Sequence, residues 1–311
     1  MSVIIFIVIL AILIVVHELG HFFVAKKGGI RVDEFGLGYP PRARTLWRKN
    51  GTDFTLNWLP FGGFVKIFGE NPDDESINGV HKNQAFVNKP KWLQALVLFA
   101  GPFMNFFFAW LIILASLFIG LPTTISPDMD QSFVSENSTV ITNVAPNSPA
   151  FNAGLKPGDK ISTITVNNDN VYKNISSQEL RNLVLANPDA IFDISLETDK
   201  IDIRELKPAD VEGEMLLGLG ISEFGIYRPN FLTALVDSFK FTGAMIANIT
   251  LTLVHLIGGA FTGTADVSNL TGPIGIVGLV GDASAMGLVY LLTFTALISI
   301  NLGVINLIPF P

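Results

Sequence analysis

Three stretches of this sequence are each long and apolar enough to cross a lipid bilayer, and no other feature limits the possible folds as much. They run from Val3 to Ala25, from Leu93 to Gly120 and from Leu288 to Pro311, where a hydrocarbon core takes about 20 apolar residues. A polytopic α-helical membrane protein is therefore expected. Only 15% of the residues are charged and the mean hydropathy is +0.48, whereas soluble domains carry roughly 25% charged residues. The first stretch has no basic leader and no small-residue cleavage site, so it reads as a retained span rather than a signal peptide. The sequence has no cysteine. Disulfides and thiolate metal sites are excluded, and any metal must be held by nitrogen and oxygen.

Charge asymmetry gives an orientation, because basic residues in short loops stay cytoplasmic. Residues 26–91 hold 11 Lys+Arg against 7 Asp+Glu, and residues 121–230 hold 8 against 16. The first loop is expected inside and the second outside. Helix one (1–25) then runs inward and helix two (92–121) outward. No basic patch suggests nucleic acid as a partner; the lipid bilayer is the expected one.

Within the outer segment, residues 133–209 turn polar and break into short β-type runs such as "STVITNV", "KISTITV" and "AIFDISLE", separated by turn signals. One helix is expected at "SSQELRNLVLAN". The run "VITNVAPNSPAFNAGLKPGDKISTITV" resembles a PDZ domain of the kind found in bacterial proteases. That resemblance implies an inserted extracytoplasmic α/β domain that adds an extended chain to a sheet edge or acts as a steric filter.

Inside the first span stands "VVHELGH", residues 15–21. His17 and His21, at i and i+4, share one helix face, with Glu18 beside them. Two imidazoles so placed can bind one Zn²⁺, leaving the carboxylate free to take a proton from an activated water. Peptide-bond hydrolysis is the chemistry this suits. Each ionisable residue at mid-membrane costs roughly 2.5–3.5 kcal/mol, so three clustered there without a use are hard to explain.

With these residues on the page, the whole chain resembles the site-2 protease family of intramembrane zinc metalloproteases, in its bacterial branch with a single PDZ domain. The motifs are "HELGH", "FGLGYPPR", "LPFGGFVKIFGE", "AGPFMNFFFA", "LTGPIGI" and "SINLGVINLIPFP". The resemblance implies that His17 and His21 are zinc ligands and Glu18 the general base. It also implies a bacterial inner-membrane location, with the active site towards the cytoplasm and a single-span membrane protein as substrate, of the anti-sigma-factor or signal-peptide type. The family's last motif begins at Asn306 and matches Pro309 and Pro311; its third ligand, an aspartate, would fall just past the end of the sequence. By that reading the 311-residue chain is truncated before a zinc ligand.

Further site candidates are substrate-binding. The interrupted apolar run at about 53–70 is expected to form a membrane-reentrant β-hairpin whose edge holds substrate as a strand, with Gly62, Gly63 and Phe64 within it; an amphipathic surface loop is the alternative. Asn105 and Asn306 are candidates for substrate contact or for interhelical packing, with Gly101 allowing helices to approach. Residues 229–265 are expected as an amphipathic surface helix, because a crossing there would carry the third span (288–311) in the wrong direction for zinc closure. A catalytically inactive membrane adaptor working through the PDZ-like domain is the competing reading, and retention of Glu18 counts against it.

Overall fold

A computed structural model describes residues 1–125, 130–167, 169–173, 175–197, 203–211, 214–263 and 272–307. The chain forms two compact units, one of Met1–Ser116 with Leu232–Pro311 and the other of Leu117–Phe231.

The first unit opens with α1 (Ser2–Lys27), whose last turn carries Lys26 and Lys27, cations that favour a helix C-terminus. Two strands follow, β1 (Val32–Lys49) and β2 (Thr52–Ile67). Each folds back on itself partway. Residues 34–37 pair with 63–66 on one side and with 53–56 on the other, while 42–49 pair with 52–57. The product is a mixed four-stranded sheet, ordered 62–67, 32–39, 52–59, 42–49, in which the two central segments run parallel and each outer one antiparallel to its neighbour. It is wider than the hairpin at 53–70 that the sequence suggests, because the segment at 32–39 inserts between the two arms of β2. One face packs on α1 through Phe22, whose ring centroid lies 5.7 Å from Phe35 and 5.8 Å from Phe54. Charges cluster on this sheet: Arg42 pairs with Glu34 at 2.5 Å, Thr55 Oγ1 donates to Glu34 at 2.6 Å, and Arg48 bridges to Asp53. The hydrogen bond from Arg48 holds the Asp53 carboxyl below the usual carboxylate range.

A short helix α2 (Asp74–Asn78), capped by Asp73, leads to α3 (Lys91–Ile119). Helices α1 and α3 touch at Gly20: a Cβ built there would lie 2.2 Å from the Ala100 carbonyl oxygen and 2.8 Å from Met104 Cγ. Only glycine permits this approach. Gly20→Ala is expected to destabilise the protein by about 1–3 kcal/mol, the usual cost of overpacking, and a thermal melt in detergent would show it; an unchanged melt would mean that the helices separate freely.

The second unit begins with β3 (Leu121–Thr124) and β4 (Val134–Val144), followed by α4 (Pro149–Asn152), β5 (Lys160–Val166), β6 (Asn170–Tyr172), α5 (Ser177–Ala186), β7 (Phe192–Leu196), β8 (Ile203–Leu206), β9 (Ala209–Val211), β10 (Glu214–Leu216) and β11 (Leu219–Tyr227). Among the described residues the main sheet runs β3-β11-β4-β5-β7-β8, with β6 beside β5 and a separate β9-β10 pair. Helix α5 starts with a reciprocal capping box between Ser176 and Glu179, which satisfies two otherwise orphaned donors. Its Leu180 and Val184 bury against Ile141, Ile164, Phe192 and Ile194. The unit extends past the 133–209 segment singled out above, because β11 lies inside the sheet although it comes last in the chain.

The chain then returns to the first unit through α6 (Phe231–Thr262), α7 (Pro273–Met286) and α8 (Leu288–Leu307). Among the described residues four helices, α1, α3, α6 and α8, are long and apolar enough to cross a membrane. Near its start α6 leans on α3: Trp110 Nε1 donates to Ser238 Oγ at 2.9 Å, and the Trp110 and Phe239 rings stack. Its buried residues are Ala234, Ser238 and Thr242, so the burial is confined to its first half. Gly281 of α7 faces Ser2, which places the start of α8 near the start of α1. Further along α8, Ser299 Oγ donates to the Asn105 carbonyl at 2.8 Å and Gly303 faces Phe106. Helix α8 therefore runs parallel to α1.

Candidate functional site

The HELGH segment occupies the face of α1 that meets α3. Antiparallel packing sets His21 beside Val97 and His17 beside Asn105, with Gly101 between them. The three α3 positions are four residues apart and so share one face. His21 Nδ1 donates to the Val97 carbonyl at 2.7 Å, and His17 Nδ1 lies 3.1 Å from the Asn105 amide nitrogen. Both rings are thus held from their outer nitrogens. Their inner nitrogens converge, Nε2 to Nε2, at 3.2 Å.

That separation suits a metal. Two Zn–N bonds of about 2.0–2.1 Å at a tetrahedral angle put the nitrogens about 3.3 Å apart. The space the nitrogens face is kept open by a missing side chain: a Cβ on Gly101 would lie 2.2 Å from His21 Nε2 and 2.7 Å from His17 Nε2. A donor for the outer nitrogen and an uncovered inner one is how metal-binding histidines are usually oriented. Among the described residues no group of three or more His, Asp or Glu side chains is placed to hold a metal. The pair supplies two donors. Pro309 and Pro311 lie outside the described residues.

Glu18, half-buried like both histidines, points to the sheet, where the Val65 backbone N–H is directed at its carboxylate. Strand segment 62–67 passes close by. A Cβ on Gly63 would sit 3.2 Å from Ile14 Cγ2 and 3.8 Å from Glu18 Cγ. Among the substrate-binding candidates, then, Gly63 and Asn105 reach the histidine–glutamate cluster. Gly62, with φ +108, packs under Tyr39, and Phe64 covers Gly36. Asn306 is exposed in the last turn of α8, and no hydrogen bond joins it to the pair. Asn105 is fully buried, so in this conformation it contacts His17 and not a substrate. Val97 and Val65 act through backbone groups, which no side-chain pattern reveals; the recurrence of Val97, Gly101 and Asn105 on one face is the available signal.

The sequence profile of peptidase family M50 matches residues 5–311. The chain belongs to peptidase family M50. Membership in this site-2 protease family makes it a zinc metalloprotease, a hydrolase of peptide bonds, and with its apolar helices a multi-pass membrane protein. A Clostridium perfringens protein provisionally named a zinc metalloprotease is 34% identical over 301 residues, covering 96% of this chain and 81% of that protein. The regulator of sigma-W protease RasP of Bacillus subtilis is 26% identical over 387 residues, covering 100% of this chain and 86% of its own. The regulator of sigma E protease of Haemophilus influenzae is 26% identical over 406 residues, covering 98% and 86%.

Proposed function

We infer that this M50 peptidase cuts single-span membrane proteins within or near the bilayer, with His17 and His21 as zinc ligands and Glu18 as the general base. The convergence of two imidazole nitrogens at 3.2 Å over the gap left by Gly101 carries the reading. Bound zinc would supply Lewis acidity, acidifying water and polarising a carbonyl. Glu18 takes a proton from the attacking water and passes it to the leaving amine nitrogen, so that peptide and water become acid and amine. The Val65 N–H keeps the carboxylate aimed at that task.

A peptide bond in a helix is shielded, so the substrate must be extended before it can be cut. The outer edge of segment 62–67 passes beside Glu18, and strand addition there would bring a scissile bond to the base. Gly62, Gly63 and Phe64 thereby take part as backbone, with Gly63 letting the edge come close. Tyr39, Leu46, Trp47, Leu56, Trp58 and Leu59 are exposed on the sheet. Such an apolar and aromatic surface favours a sheet that dips into the membrane. The parallel run of α1 and α8, antiparallel to α3, favours α6 at the outer face, since α7 at 14 residues is too short to cross back. Asn306 then ends α8 on the cytoplasmic side with the histidines, and the second unit is extracytoplasmic.

In that unit the edge of β11 at 219–222 opposite β4 lies open to α5. A groove of about 300 Å³ is lined there by Asn143, Leu180, Arg181, Leu217 and Gly220, consistent with a PDZ-like domain that takes an extended chain. Substrates of the anti-sigma-factor or signal-peptide type, trimmed outside first, fit the two relatives named as sigma-factor regulators.

Purified protein in liposomes should cleave a single-span substrate with a trimmed outer portion, lose the activity to a chelator and recover it with zinc. Deleting residues 133–209 should then admit the untrimmed substrate as well. Failure of the zinc-loaded protein to cut any membrane span would overturn the reading, and loss of cutting of trimmed substrate on deletion would make the domain a recruiter rather than a filter.

A further inference from the structure

Asn105 leaves one polar atom unaccounted for. Its side chain is wholly buried, and its Oδ1 has no hydrogen-bond partner while its amide nitrogen lies 3.1 Å from His17 Nδ1. An orphaned buried acceptor costs free energy of the order of 1–3 kcal/mol. The two ends of an amide differ in what they can do for an imidazole: nitrogen only donates and oxygen only accepts. A neutral histidine that offers its Nε2 lone pair must carry its proton on Nδ1, and that proton needs an acceptor. His21 has one in the Val97 carbonyl. Among the described residues, Asn105 alone is hydrogen-bonded to the Nδ1 of His17.

We propose that Asn105 is a positioning residue for His17, whose amide turns between two orientations, one for the metal-free pair and one for the metal-bound pair. With Nδ2 towards the ring, the amide donates to Nδ1. The His17 proton then sits on Nε2, which donates to His21 Nε2 at 3.2 Å, and the two histidines satisfy each other. With Oδ1 towards the ring, the amide accepts the Nδ1 proton, and both Nε2 lone pairs face the space beside Gly101. The backbone need not move, because the Ser299 hydroxyl holds the Asn105 carbonyl at 2.8 Å. The turn is a rotation of one side-chain amide. This rests on His17 and His21 being zinc ligands, and it gives Asn105 a role apart from substrate binding.

Two substitutions separate acceptance from shape. Asn105→Leu keeps the volume and removes the acceptor; Asn105→Asp keeps the acceptor and, when ionised, cannot donate. Zinc affinity of the purified protein in detergent, measured by competition with a chromogenic chelator, should fall about 10–100-fold in Asn105→Leu, the range for lost partners of ligating histidines. Asn105→Asp should bind zinc at least as tightly as wild type. Cobalt substitution gives a second readout, with the wild-type visible spectrum kept by Asp and shifted by Leu. Wild-type affinity in Asn105→Leu would overturn the proposal, and so would equal losses in both variants. Wild-type and His21→Ala proteins assayed alongside test the zinc reading itself: zinc bound by the first and not the second leaves that reading standing even where Asn105 fails, and no zinc in wild type sinks both.

Discussion

Glu18→Gln is expected to keep its zinc and to cleave peptide bonds about 10²–10⁴-fold more slowly, the range for loss of a general base. The substitution preserves volume, helix and hydrogen bonding. Glutamine's side-chain oxygen can face the Val65 N–H as the carboxylate does, and the histidines on either side of it keep their contacts with Val97 and Asn105. Only proton acceptance is removed. A loss of zinc along with activity would show a structural role for Glu18, and cleavage at the wild-type rate would remove it from the mechanism.

Gly101→Ala should have the opposite profile, losing the metal first. The added methyl would lie 2.2 Å from His21 Nε2 and 2.7 Å from His17 Nε2, closer than any non-bonded contact allows. Parting the helices to relieve it would give up the close packing of Gly20 on the Ala100 carbonyl, one residue away on α3. The rings must turn instead, and turning them breaks the bond from His21 Nδ1 to Val97. Because both ligand nitrogens are displaced, zinc affinity should drop by more than about 100-fold, beyond the usual effect of changing a ligand's partner. Metal content after dialysis, read beside a melt that shows the protein still folded, checks this. A folded Gly101→Ala protein with full zinc would place the metal elsewhere.

The part of the site that lies on one helix was legible in the sequence, because the spacing of His17, Glu18 and His21 becomes geometry through helical period alone. What they face was not. Val97, Gly101 and Asn105 repeat every four residues, but nothing local says that this face meets α1, or that His21 is held by a backbone carbonyl. Asn105 was open between substrate contact and packing for the same reason; in the structure it is buried with its amide against His17. The sheet was harder still. Its strand at 32–39 lies between segments that follow it in the chain, so a reader looking for neighbouring arms finds only the hairpin at 53–70. In the second unit β11 (Leu219–Tyr227) inserts between β3 (Leu121–Thr124) and β4 (Val134–Val144), strands far earlier in the chain, and its glycines mask the alternation of a strand. Long apolar helices were plain from composition, while the course of α6 depends on which helices run parallel, a property of packing.

Metal analysis of the purified protein is the most direct test of zinc held between His17 and His21 inside the membrane. Wild type should contain one zinc per chain, and His17→Ala and His21→Ala, each folded by thermal melt, should contain none. Stoichiometric zinc in either variant would contradict the assignment.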